Sequence, residues 1–470
     1  EGIHTTKGGG SMKFKTVNPA TNEILAEYDT ISKEETLDIA KQSHEAFKDW
    51  KNLSIKERTA YIKKLGQVLR ENKQEYAEMM TKEMGKTITQ SIAEVEKCAW
   101  LCDVMTEKAH EWLKDEEVEA DGKKHLITYE PLGTVYIIMP WNYPWWQPIK
   151  VALPLMAAGN TALLKHARNV TGCALLVEDA FKKAGFPENV FRTIIIDHDT
   201  SAALVDSDYV QACSLTGSVS AGSKIAEQAG KNIKKVVLEL GGSDPLIVLD
   251  DVDIEQAAQG AVLGRTSNAG QVCIGSKRII VHQNVAEEFT SKFTEAVKAL
   301  KLGDPMDPET EIGPLVNEKA VEDMEAFVED AKQKGAHILT GGKRPEGLNG
   351  AYFEPTILGN PTKDMDAVCK ETFGPIAPII IVDSDEEAIE VANDSEFGLS
   401  ATIWSRDLER AQAVGKKINT GAIFINSISK SHPLLPIGGI MKSGYGRELS
   451  HIGIKEFTNI KTVNVYESEK

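Results

Sequence analysis

Two periodicities divide the chain. From Lys33 to about Leu113, apolar residues recur every three to four positions, the spacing that lines one face of a helix. "SKEETLDIAKQSHEAFKDW" opens on Ser32, a cap candidate with Glu35 in capping-box position. "SIKERTAYIKKLGQVLRENKQEYAEMMTKEMG" reads as one long amphipathic helix that stops at Gly85, and "TITQSIAEVEKCAWLCDVMTEKAHEWLK" as the next. From Thr134 the period changes. Short continuous apolar runs ("TVYIIM", "TALLK", "VFRTIII", "YVQACSLT", "KVVLEL") alternate with helical stretches at 147–158, 172–184, 199–206 and 218–229. Apolar strands separated by helices predict a parallel sheet buried on both faces.

After Asp253 a second series begins. "KRIIVH", "AHILT", "FEPTIL", "APIIIV", "SATIWS" and "GAIFIN" read as strands, with helices at about 285–300, 318–334, 385–393 and 407–417. The prediction is an α/β protein of two doubly wound domains, the first of nucleotide-binding type. The expected boundaries are 13–117 with 135–246 for the first domain and 247–437 for the second. Residues 118–134 and 438–470 are expected to be oligomerisation or bridging segments outside both, with strands at about 118–134 and 448–468 ("KKHLITYE", "KTVNVYE"). Residues 1–12 read as a leader or expression remnant, with Met12 as a natural start.

Composition narrows the function. The formal charge of −17 argues against nucleic acid as a partner, because phosphate binding needs a basic face. Val135–Leu164 is interrupted by Asn142, Pro144, Lys150, Pro154 and Asn160, so no membrane span is expected. The six cysteines (Cys98, Cys102, Cys173, Cys213, Cys273, Cys369) are dispersed, which fits a reducing cytoplasm and no disulfide framework. Cys98 and Cys102 have helical spacing, but no further ligand stands beside them, so no metal site is expected.

Five stretches carry candidate chemistry. In "GQVCIGSKR", Cys273 is either packing material or a nucleophile in a turn. "LTGSVSAGSK" sets Gly217 and Ser218 after a strand and before a helix, a phosphate cradle or a plain capped turn. Lys165 ends the strand in "LLKHAR", where an open parallel sheet binds ligands, or it is simply solvated. Glu239 in "LELGGSDP" is a carboxylate in apolar surroundings, either a base tuned toward neutrality or a structural acceptor. Asn142 in "PWNYPWW" is an oxyanion donor or a turn residue.

Taken in order, "NPATNE", "PWNYP", "LTGS", "LELGG", "GQVC", "KETFGP", "NDSEFGLSATIWS" and "GGIMKSGYGRE" resemble the aldehyde dehydrogenase family over nearly the whole chain. The resemblance implies a Rossmann-like cofactor domain, an α/β catalytic domain and a small β oligomerisation arm. It assigns Cys273 as the nucleophile that forms a thiohemiacetal and then a thioester. It assigns Asn142 to the oxyanion and Glu239 to activation of water. NADP or NAD is the implied cofactor. Lys165 would face the adenosine ribose, Ser218 with Gly217 and Gly222 the pyrophosphate, and Glu371 and Phe373 the nicotinamide side. Pro140, Trp141 and Leu240 would line the same cleft. Many NAD-preferring relatives carry Glu three residues after this lysine. Here Arg168 stands there with His166 close by, which favours acceptance of a 2′-phosphate.

The branch most similar is that of bacterial succinate-semialdehyde dehydrogenases. In it a cation at the position of Lys150 holds the substrate carboxylate, usually an arginine. Arg265 is a second cationic candidate or a helix-surface residue. Trp145 and Trp146 would narrow the pocket, and Ser429, Ser431 or His432 of the mouth segment would touch substrate. Gly275 replaces the second cysteine of relatives that form a redox disulfide. The alternatives are a general aliphatic or betaine-type aldehyde dehydrogenase, a CoA-acylating enzyme, and a catalytically silent protein on the same fold. The arm segments imply a homodimer or homotetramer by strand addition.

Overall fold

The computed structural model describes residues 3–5 and 12–469. The helical region is four helices: α1 (Lys33–Trp50), α2 (Ile55–Glu71), α3 (Lys73–Met84) and α4 (Ile88–Trp112). The expected single helix to Gly85 breaks at Asn72, whose side-chain amide donates to the Val68 carbonyl at 2.8 Å. Such local bonding competes with the helical ladder. Ser32 caps α1 by accepting from the Glu35 N–H, but the reciprocal capping box forms at Ser54 and Glu57.

Sheet one carries β1 (Thr134–Met139), β2 (Thr161–His166), β3 (Phe191–Thr193), β4 (Ala212–Thr216) and β5 (Lys235–Glu239), crossed over by α5 (Trp146–Ala157), α6 (Thr171–Lys183), α7 (His198–Asp206) and α8 (Val219–Lys231). These strands run parallel in the order β5-β4-β1-β2-β3, with β1 central. Sheet two is built from β6 (Asp244–Val248), β7 (Ser276–His282), β8 (His337–Thr340), β9 (Thr356–Gly359), β10 (Ile376–Val382), β11 (Ser400–Trp404) and β12 (Ala422–Ile425). Its order is β8-β9-β10-β7-β6-β11-β12, and only β8 is antiparallel. The α9 helix (Ile254–Thr266) leads from β6 toward the Cys273 loop. Every residue of β6, β7 and β11 is buried, as sheets covered on both faces require.

Three sequence expectations change. The chain passes between sheets at residues 240–243, so the expected boundary at 246 cuts β6; the Gly241–Gly242 break, not the next helix, ends sheet one. The segment 438–470, expected to serve oligomerisation or bridging, divides: residues 438–449 bridge, and Thr458–Val465 form the arm. Gly444–Tyr445 add an antiparallel edge strand, β13, to β5 and return the chain to the first sheet. Part of the supposed leader belongs to the fold: Ile3–Thr5 pair with Met12–Phe14 at a sheet edge, which satisfies main-chain groups that an edge leaves open. The other leader residues before Met12 lie outside the described residues.

Lys124–Pro131 and Thr458–Val465 pair antiparallel along eight positions and stand apart from both sheets, with Ile460, Val463 and Val465 exposed. Among the described residues, no helix is long and apolar enough to cross a membrane.

Candidate active site

The Cys273 loop leaves α9 through three successive residues in left-handed backbone: Asn268 (φ 51°), Ala269 (φ 55°) and Gly270 (φ 78°). Side chains resist this region, so surrounding contacts must hold it. At Gly270 any Cβ would lie 2.4 Å from the Gly374 carbonyl carbon, so only glycine fits. The holding contact is Arg265. Its guanidinium is fully buried and donates to the carbonyls of Gly270 (2.7 Å), Gly374 (2.5 Å), Ser276 (2.9 Å) and Thr372 (3.2 Å). Burial pushes its pKa down to about 9. Arg265 is therefore a clamp between the nucleophile loop and the "KETFGP" loop. The expectation that it meets substrate fails, because the ion is committed to main chain and lines no part of the cavity.

Lys277 is the second clamp. From the wholly buried β7 its ammonium donates to the carbonyls of Cys273 (3.0 Å) and Gly242 (2.9 Å) and pairs with Glu371 at 3.0 Å. Sequence reading passed it over, although a lysine heading an apolar strand signals a buried partner.

A cavity of about 300 Å³ opens over Cys273 and brings together Asn142, Glu239, Lys150, Trp146 and Ser431. The Asn142 amide nitrogen lies 4.0 Å from the Cys273 sulfur and 3.2 Å from the Gln271 carbonyl. Its loop is held from α4: Glu94 accepts from the N–H groups of Trp145 (2.8 Å) and Trp146 (3.0 Å), capping α5. Lys86 forms a buried ion pair with the other Glu94 oxygen and lies 3.7 Å from the Tyr143 ring centre. The Cys273 thiol is pushed up to about 12 by burial and by the carboxylates of Glu371 and Glu239. At neutral pH it rests protonated.

Glu239 ends β5 inside the cavity wall. Burial alone would raise its pKa, but the Lys150 ammonium 3.1 Å away and hydrogen bonding bring it below the ordinary carboxylate value. The expected upward tuning is thus absent, because a cation compensates the buried charge. Lys150 also lies 2.8 Å from Glu448, delivered by the segment after β13. Burial and the neighbouring Glu239 push the Glu448 carboxyl up to about 8. Lys150 lines the cavity, but its charge is spent on two carboxylates, so it is not a free anchor for a substrate anion. Glu448 was missed in sequence because "GRE" sits in a loop whose pattern has no chemical reading.

The cofactor candidates gather at the carboxyl ends of the first sheet. Ser218 caps α8 by accepting from the Ala221 N–H, next to Gly217. Gly222 lets α8 settle on Leu240, where a Cβ would come within 2.6 Å of the leucine side chain. The buried Thr216 hydroxyl at the end of β4 has no hydrogen-bond partner among the described residues. Lys165 and Arg168 stand close enough for the arginine charge, after burial, to lower the lysine pKa. Arg168 lies over the Phe14 ring at 5.4 Å. An open helix N-terminus, an orphaned hydroxyl and two cations beside one another fit a phosphorylated dinucleotide. Pro140 closes β1, and Trp141 meets Phe373 edge to face at 5.6 Å beside Glu371.

His166 does not join this group. It is buried, and its Nε2 lies 2.8 Å from the Pro144 carbonyl while Nδ1 accepts from the Ala167 N–H. Burial lowers it to about 4, so it is neutral and holds the Asn142 loop rather than a phosphate.

A half-buried thiol, an amide donor and a buried carboxylate on one cavity, beside a dinucleotide-type sheet, define a thiol-dependent α/β oxidoreductase. The model of the aldehyde dehydrogenase family matches residues 5–463, and the chain belongs to that family. It is 44% identical over 455 residues to a probable succinate-semialdehyde dehydrogenase (NADP+) of Synechocystis sp., covering 96% of this chain and 99% of the relative. It is 43% identical to a succinate semialdehyde dehydrogenase (NAD(P)+) of Escherichia coli, covering 95% and 97%. Among solved structures, a succinic semialdehyde dehydrogenase from Streptococcus pyogenes in complex with NADP+ superposes with a TM-score of 0.94 at 39% identity, covering 97% and 100%.

Proposed function

We propose that the protein oxidises succinate semialdehyde to succinate with NADP or NAD. The observation that carries the chemistry is the convergence of Cys273, Asn142 and Glu239 on one cavity. Names of relatives on both sides of 40% identity support the substrate.

The Cys273 thiol gives its proton to solvent water as its sulfur bonds to the aldehyde carbon, and the carbonyl oxygen takes the electron pair of the broken C=O π bond. The Asn142 amide is the donor that meets this oxyanion. A nicotinamide cofactor held there would supply the acceptor for the hydride that leaves that carbon. The carbon regains a carbonyl and remains bonded to sulfur as a thioester. Glu239 then takes a proton from water, hydroxide adds to the thioester carbon, and the C–S bond breaks to give the acid and the free thiolate. Lys150 keeps Glu239 ionised for this step.

Lys165, Ser218, Gly217, Gly222, Leu240, Pro140 and Trp141 would hold the dinucleotide. Arg168 would take a 2′-phosphate, and Glu371 and Phe373 would border the nicotinamide end. Trp146 and Ser431 shape the aldehyde cavity. The exposed apolar ribbon of Lys124–Pro131 and Thr458–Val465 supports a homo-oligomer formed by edge pairing. Six free thiols support a reducing cytoplasm.

Stopped-flow absorbance of reduced cofactor tests the scheme. Glu239→Gln should release about one equivalent per site in a burst and then turn over at least about 100-fold more slowly. Cys273→Ala should give no burst. A full steady rate in Glu239→Gln would remove the base assignment.

A further inference from the structure

Four lysines face or rim the aldehyde cavity: Lys86, Lys97, Lys150 and Lys430. Lys86 is paired with Glu94, and the other Glu94 oxygen is taken by two N–H groups. Lys150 is shared by Glu239 and Glu448. Lys430 is exposed at the rim. Lys97 is different. It projects from α4 one turn beyond Glu94, and among the described residues no carboxylate lies within ion-pair distance of it.

What Lys97 does touch is neutral. Its ammonium donates to the Ser431 hydroxyl oxygen at 2.7 Å and lies 4.6 Å from the Trp146 ring centre. The Trp146 indole N–H donates to the same Ser431 oxygen at 3.1 Å. With both lone pairs taken, the Ser431 hydroxyl proton is left to donate. Lys97 keeps two N–H groups of its own. Two unsatisfied donors therefore stand side by side on one wall of the cavity, matching the two oxygens of one carboxylate.

Resting on the reading that an aldehyde reacts at Cys273, we propose that Lys97 and Ser431 form the anchor for the distal carboxylate of the substrate, and that Lys97, not Lys150, makes the enzyme select an anionic aldehyde. The state of Lys97 agrees. Burial first, and then repulsion from Lys150, lower its ammonium to about 8, the behaviour of a cation that lacks its counter-ion. An arriving carboxylate supplies that counter-ion. The aromatic face of Trp146 holds the ammonium in place meanwhile.

The test is the ratio of kcat/KM for succinate semialdehyde to that for butanal, a neutral aldehyde of the same length. A ratio near one in the unaltered enzyme would sink the substrate reading itself, whatever Lys97 does. With a high ratio in hand, Lys97→Met should lower it by about 100-fold or more, since a charge-assisted contact is lost. Lys97→Arg should keep most of it, and Ser431→Ala should lower it by about tenfold. An unchanged ratio in Lys97→Met would overturn the proposal. Folding is checked by thermal melting. Removing a half-buried charge that has no carboxylate partner should not lower the melting temperature. If Lys97→Met does not fold, Lys97→Gln takes its place: a fallen ratio supports the anchor, and an unchanged ratio overturns it.

Discussion

Glu239 and Lys150 form an ion pair of 3.1 Å that is almost wholly out of water, with side-chain exposures of 5% and 3%. A charge so placed needs its partner in every state that matters. Lys150→Met should leave the Glu239 charge with no cation beside it, next to a Glu448 carboxyl that already holds its proton at neutral pH, so Glu239 takes up a proton more readily. The variant should lose about 3–5 kcal/mol of stability by denaturant titration. Its acid activity limb should move to higher pH, because Lys150 is what holds Glu239 below its ordinary value. A limb that stays in place would show that Lys150 does not set the ionisation of the base.

Glu448 carries the opposite sign. Its carboxyl is raised from 4.5 to about 8, so its contribution is fully present below about 4.5 and is lost as pH rises toward 8. Glu239, with a lowered value, contributes above the unfolded range and loses that contribution only at acid pH. Glu448→Gln should therefore flatten the fall in melting temperature between pH 5 and about 8 relative to the unaltered protein. Parallel melting curves for the two proteins would refute it.

Arg265 feeds four main-chain carbonyls on two loops that sequence keeps far apart. Arg265→Leu should cost at least about 3 kcal/mol, since buried acceptors lose a charged donor. The left-handed stretch 268–270 should relax and kcat should fall more than KM rises. A KM defect confined to anionic aldehydes would restore Arg265 to the substrate site.

Arg168→Gln should reduce the preference for NADP over NAD by at least about tenfold, because the charged partner of a 2′-phosphate is removed. Steady-state kcat/KM with each cofactor reads this directly. Equal effects on both cofactors would mean that Arg168 serves only its contact with Phe14.

The run of apolar strands, the helices between them, the thiol at Cys273, the carboxylate at Glu239 and the amide at Asn142 were all legible along the chain. Local periodicity depends on neighbours within a few positions and so showed the strands and helices, whereas the three site residues stood out only through the resemblance carried by eight motifs in order along the chain. The partners of the charged residues were not legible. Lys150 and Arg265 read alike as cations free for a substrate, and His166 as one more phosphate contact. Burial among distant segments turned the first into the counter-ion of two carboxylates, the second into a loop clamp and the third into a neutral strut. The same packing left Lys97, an ordinary helix lysine in the sequence, without a carboxylate partner among the described residues. Which charge is spent and which is available is settled by desolvation and by contacts across the fold, and neither is written in local order.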